Sequence, residues 1–306
     1  SVGKVRSLTI TGTATSGDGI TTTAALRATG ALTLTGYTAT GTNGIDVGST
    51  LASTVAGDVI LSGKSGGINA AVYTTGVTLA NTLTVAAGNL TIQGATLVGG
   101  IATPLPGSSA TGSRYGFSSA AAGDITVSGN ISLAGTSVTF LGTYLLGDVL
   151  STDGNVALTG AGLYAMSLSG PVTAGTGVNP RTLTITTTGS NGYGLTTAAA
   201  AALSATGSIA LTAYSTIGAS GISIAAPIRS TLRGDVVISS YAGGAGENAF
   251  TLGAALSAAN GGITLQGSAL IGGVATAAPG TAMTSRQGAG FTSTSVGATL
   301  TATGDI

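Results

Sequence analysis

A chain of 306 residues with 6 % charged residues, zero net charge, and no His, Cys or Trp excludes several classes of function at once. Without Cys or His there are no disulfides, no thiolate or imidazole metal sites and little scope for nucleophilic catalysis. Neutrality leaves no electrostatic basis for binding nucleic acid or an anionic membrane, and no apolar run of about eighteen residues is present to span a bilayer as a helix.

From its start the chain repeats itself. RSLTIT from Arg6 returns as RTLTIT from Arg181, and GALTLTGYTATGTNGI from Gly30 as GSIALTAYSTIGASGI from Gly207. STVAGDVILS from Ser53 answers STLRGDVVIS from Ser230. GNLTIQGATLVGGIATPLPG from Gly88 answers GGITLQGSALIGGVATAAPG from Gly261, and the match runs on through Pro106/Pro279 to Phe117/Phe291. The repeating unit is therefore about 175 residues long.

A shorter period lies inside the long one. Apolar–hydroxyl runs begin at Leu8, Leu32, Val59, Leu90, Ile125 and Val156, and the series reopens at Leu183, Ile209, Val236 and Ile263. Alternation at period two, rich in Leu, Ile, Val and Thr and bounded by Gly, indicates short strands. The one helix-like rival, Ala198 to Ala202, reads as strand and turn because Gly207 soon ends it.

Further apolar patches follow the anchors, as in GIDV (Gly44–Val47), STLAS (Ser49–Ser53), INAAVY (Ile68–Tyr73) and TLTV (Thr82–Val85). Three short strands per turn describe a coil of a parallel β-solenoid. A single coil cannot bury its own Leu, Ile and Val, whereas stacking at roughly 4.8 Å makes one apolar column. The expected fold is all-β, a parallel β-helix of about ten turns. Residues 1–175 form a first unit of six turns, and residues 176–306 a second, truncated unit of the same solenoid. Inward positions include Leu32, Leu34, Leu90, Ile92, Ile125 and Val127. The stretch PLPGSSATGSRYGF, with Pro104, Pro106, Arg114, Tyr115 and Phe117, reads as a loop protruding from one corner, repeated at Pro279 to Phe291.

Few residues could carry chemistry. The only Glu is Glu247, and most Asp sit in Gly-Asp turn pairs: Asp18, Asp58, Asp124, Asp148, Asp235 and Asp305. Asp58, Asn89, Asp124 and Asn155 each precede an anchor, so stacking would line them up at one corner with carboxylate and amide alternating. That ladder reads as self-satisfied turns. Its functional rival is a Ca²⁺ column, with Asp58, Asp124 and Asp235 as the ligands. Arg233-Gly234-Asp235 spells a receptor-recognition tripeptide, but its Gly-Asp part matches Gly57-Asp58 and belongs to the same turn. The glycosylation patterns at Asn89 and Asn130 overlap anchor strands. Eight Tyr and four Phe read as too dispersed for a stacking platform, and Tyr37 and Tyr214, at equivalent positions, read as packing residues in preference to a surface stripe.

The recurring G-[DN]-[ILV]-x-[ILV] anchors, as in GDITVSGNISL from Gly123 and GNVALTGAG from Gly154, resemble the large repetitive exoproteins of Gram-negative bacteria. These include filamentous-haemagglutinin-like adhesins and autotransporter passenger domains. The resemblance implies a right-handed coil, secretion, and a role in adhesion or biofilm matrix; no catalytic residue carries over. The expected function is thus a structural or adhesive segment of an extracellular fibre, without catalysis or cofactor. Its partners would be itself, by continuation or head-to-tail stacking, and a host or neighbouring-cell surface. Ser1-Val2-Gly3 reads as ordinary repeat sequence, and Gly304-Asp305-Ile306 matches Gly129-Asn130-Ile131, so both ends are expected to be uncapped.

Two rivals differ in class. One is an ice- or surface-binding solenoid built on T-x-T rows (Thr9/Thr11, Thr33/Thr35, Thr184/Thr186), interrupted at Ile60, Ala157 and Ala210. The other is a polysaccharide-acting β-helix enzyme, which needs carboxylates gathered in one groove.

Overall fold

Strands that alternate large apolar residues with Thr and Ser bury one face, and only coil-on-coil stacking covers that face completely. A computed structural model shows that arrangement; it describes residues 5–66, 74–96, 114–137, 140–217, 220–243, 248–269, 291–293 and 300–303. The strands form three sheets, each ten-stranded and each built from every third strand of the chain. All pairing is parallel and in register, from Leu8–Ala14 on Leu32–Thr38 through to Val236–Ala242 on Ile263–Ala269 in the first sheet. The protein is a parallel β-solenoid with three strands per coil, and no helix occurs among the described residues.

The first sheet carries the long strands, most of seven residues, while the third carries strands of three. Nine strand spacings of roughly 4.8 Å give a column about 43 Å long. Inside it, one position of the first sheet runs Leu34, Leu61, Ile92, Leu133, Leu158 and Ile185, all at or below 1 % exposure. The second sheet contributes Ile45, Val77, Phe117 and Met166, and the third Leu51, Leu83, Ile125 and Val149. Where the chain leaves the first sheet, the inward column turns to hydroxyls that serve the corner. Thr38 Oγ1 donates to the Gly17 carbonyl at 2.6 Å and accepts from Gly41 N–H at 2.9 Å, and Ser215 Oγ donates to the Gly192 carbonyl at 2.7 Å.

Two sequence expectations are corrected. Ile125–Val127 is an inward strand, but it lies in the third sheet between Leu83–Val85 and Val149–Ser151. The next first-sheet strand is Ile131–Thr136, which opens the following coil and pairs with Leu90–Thr96 and Val156–Gly162. GDITVSGNISL holds two runs of one pattern six residues apart, and the long first-sheet strand is the second of them. Likewise RYGF is not a loop: Arg114–Ser119 is a strand of the second sheet, with Phe117 fully buried between Val77 and Thr143. A strand of outward Tyr, inward Phe and a central Gly lacks the Leu-Thr alternation of the other runs. The Pro-rich remainder of that stretch, its counterpart before Phe291, and INAAVY lie outside the described residues. Ala198 to Ala202 is not helical: it is a turn, and the strands lie on either side of it at Leu195–Thr197 and Leu203–Ala205.

One close approach explains a recurrent glycine. The fifth residue of the first-sheet strand is Gly12, Gly36, Gly63, Gly94 and Gly135 in successive coils. A Cβ on Gly63 would overlap the Gly76 carbonyl of the second sheet, and the same holds for Gly36 against Gly44 and Gly94 against Gly116. Gly63→Ala is therefore expected to lower stability by about 1–3 kcal/mol through overpacking. Ile125→Asp, which leaves a charge unpaired in the column, should cost several kcal/mol, on the order of 3–5. Urea unfolding of both variants measures the two effects.

Candidate functional site

Polar side chains gather at the corners, where the chain turns between sheets and backbone amides need acceptors. At the corner leading into the first sheet, Gly57 and Gly234 both take positive φ, 136° and 140°, a conformation that a side chain would strain. The residue that follows is an Asx whose Oδ1 reaches the next coil. Asp58 Oδ1 accepts Asn89 N–H at 2.8 Å, Asn89 Oδ1 accepts Asn130 N–H at 2.9 Å, and Asn130 Oδ1 accepts Asn155 N–H at 2.9 Å. Asn155 Oδ1 then accepts Thr182 N–H at 2.8 Å, and further along Asp235 Oδ1 accepts Gly262 N–H at 2.8 Å.

This ladder differs from the expected one. Asn130, and not Asp124, stands between Asn89 and Asn155, because Ile125 belongs to the third sheet. Asp124 sits at the preceding corner, where its Oδ1 accepts Asp148 N–H at 3.0 Å. Carboxylate and amide do not alternate, and Asp58, Asp124 and Asp235 are not brought together: they occupy two corners and three separate coils. Among the described residues no group of three or more carboxylates could hold a metal ion. Arg233-Gly234-Asp235 lies on the same corner as Ala56-Gly57-Asp58, with Arg233 exposed and its N–H bonded to the Thr206 carbonyl at 3.2 Å. Asp305 and Glu247 lie outside the described residues.

Among the described residues two carboxyls feel their surroundings. Burial, reinforced by the like charge of Asp18, pushes Asp46 above the usual carboxylate range. The Arg181 guanidinium, hydrogen-bonded to Asp153 at 2.6 Å, holds the exposed Asp153 below it.

The outer face of the first sheet is nearly uncharged, with Lys64 its one ionic side chain among the described residues. Its central column reads Thr11, Thr35, Ser62, Gln93, Ala134, Thr159, Thr186, Thr212 and Ser239. The neighbouring column breaks where the sequence indicates: Ile60 stands between Thr33 and Thr91, and Ala157 and Ala210 flank Thr184. Tyr37 and Tyr214 share the outward sixth position of their strands, and Tyr214 stacks on Tyr241 with centroids 4.7 Å apart and planes at 5°.

The aromatic residues are not dispersed. On and beside the second sheet, Tyr115 stacks on Tyr144 at 5.5 Å and meets Phe140 edge-on at 5.6 Å, while Phe140 meets Tyr164 at 5.5 Å. Tyr164 lies against Gly192, where any side chain would overlap its ring, and the neighbouring Tyr193 is 41 % exposed. These five rings belong to four successive coils. Spacing along the chain hid them, because coils of unequal length carry the rings to one place from positions with no common interval. No protein-family model matches the chain, and no curated protein matches it by sequence.

Asn130→Ala leaves the Asn155 amide to water in place of its side-chain acceptor and is expected to cost about 0.5–1.5 kcal/mol, whereas Asn130→Asp keeps the oxygen and most of the stability. Thermal unfolding of the two variants decides this. For Asp46 the sign follows from linkage: its charged form is disfavoured in the fold, so the penalty exists above the folded pKa and vanishes below the unfolded one. Asp46→Asn should raise the melting temperature at pH 7 and leave it unchanged near pH 3.

Proposed function

We propose that the chain is a structural and adhesive segment of an extracellular fibre, of the kind built by the large repetitive exoproteins it resembles in repeat style. The observation that carries this reading is the register of the coils. Each of the three sheets continues strand upon strand in sequence order among the described residues, so one cross-section repeats along the column. Repetition without closure produces filaments.

The chemistry of the surface supports a non-catalytic role. The carboxylates of Asp58, Asp124 and Asp235 are engaged with backbone amides of the next coil, which is the work of turn residues. A polysaccharide-cleaving site would need such groups facing one another across a groove. Hydroxyl-rich outer faces hydrate the column without charge, which suits a secreted or cell-surface fibre. No helix among the described residues is long and apolar enough to cross a membrane.

The ice- or surface-binding alternative needs an unbroken hydroxyl lattice, and the interruptions at Ile60, Ala157 and Ala210 count against it.

The test is concentration. Purified residues 1–306 at rising concentration should associate end to end, seen as a shift to larger species in size-exclusion chromatography and as unbranched filaments in negative-stain electron micrographs. A protein that stays monomeric at every concentration would refute the reading.

A further inference from the structure

We propose that the outer face of the second sheet, from the fourth to the seventh coil, binds an extended, uncharged polysaccharide by stacking sugar rings on tyrosine. The proposal rests on the adhesive reading for what the contact is for, and its chemistry comes from three observations. The first is the ring cluster of Tyr115, Phe140, Tyr144 and Tyr164, all half-buried, extended by the more exposed Tyr193. Half of the eight tyrosines of the chain are collected here. Their partial burial holds the rings in place, so little side-chain freedom is lost when a ligand arrives.

The second observation is the column in which Tyr144 stands. Its neighbours along the coil axis are Thr78 and Ser118 on one side and Ser167, Thr196 and Ser223 on the other. An aromatic surface beside a row of hydroxyls offers stacking to the C–H faces of a sugar and hydrogen bonds to its hydroxyls. Three strand spacings of roughly 4.8 Å give about 14 Å, enough for a short run of hexoses along the axis.

The third observation is charge. From Thr78 to Ser223 that outward column contains no ionic side chain. A sulfated or carboxylated glycan, or a charged protein surface, would have to desolvate its charges against a column that offers no counter-charge. An uncharged glycan incurs no such cost.

Tyrosine emission reports binding directly, because the chain has no tryptophan. The purified chain is titrated with cellohexaose, laminarihexaose and maltohexaose, and with heparin as the anionic probe. The expected result is a saturable change with at least one neutral hexasaccharide, at least tenfold weaker in Tyr144→Ser. That variant matches Ser118 and Ser167 on either side, and circular dichroism confirms that it folds. Tyr214→Ser, which removes the stacked pair on the first sheet, should bind as the parent does.

The proposal is overturned if no neutral hexasaccharide binds, if heparin binds more tightly than all of them, or if Tyr144→Ser binds unchanged. It is also overturned if the rings prove to be a contact between copies, with self-association lost in Tyr144→Ser and no sugar bound. Filaments without sugar binding would remove this inference and leave the fibre; sugar binding without filaments would do the reverse.

Discussion

Parallel pairing in register is the constraint on which the rest of this structure depends. Because each strand bonds to its counterpart one coil away, every coil must have the same cross-section as its neighbours, and each inward position becomes a column of similar volume. That is why Leu34, Leu61, Ile92 and Leu133 follow one another with almost no variation in size. The same constraint brings the first and second sheets to a fixed closeness at their shared corner. In the coils of Gly36, Gly63 and Gly94 that distance leaves no room for a Cβ. In later coils the position is Thr187, Ala213 and Ser240, and there Ser240 Oγ bonds to the facing Ala249 carbonyl.

Corner chemistry follows from the same repetition. A turn that recurs at every strand spacing leaves its outermost amide in want of an acceptor at every level, and Asx side chains supply one. The supply is local to each pair of coils, so Asp and Asn are interchangeable there. This is why one ladder holds Asp58, Asn89, Asn130 and Asn155 without any pattern of charge. A carboxylate in such a column says little about metal, and an Arg-Gly-Asp whose Asp is tied to Gly262 says little about a receptor.

Much of the fold was legible because burial imposes a period of two and stacking imposes a longer one. The strands at Leu32, Val59, Leu90 and Leu183, the parallel coil and the turn at Ala198 to Ala202 all follow from that double period. What was not legible were choices between equal patterns. ITVSG and ISLAG satisfy one template, and only the chain's path between sheets assigns the first to a short strand and the second to a long one. The error moved Asp124 into the wrong ladder, because corner residues inherit their place from the strand they precede. The aromatic face was hidden for a related reason: with unequal coils, Tyr115, Phe140, Tyr144 and Tyr164 share no interval, and only the register brings them side by side.

The hydrogen bonds between coils run along the solenoid axis, and this decides how such a column carries load. A pull along the axis strains all three ladders of a coil interface together, so rupture requires their joint failure instead of peeling one bond at a time. The interfaces are unequal under that load: the second-sheet ladder pairs five residues between Arg114–Ser119 and its predecessor, but three between Tyr164–Leu168 and Leu195–Thr197. Tension applied to the ends would therefore spare the interface that Arg114–Ser119 makes with its predecessor and concentrate extension at the interfaces with fewer pairs. There the covalent strand that passes once from coil to coil becomes a tether of slack chain, turning a break into a yield.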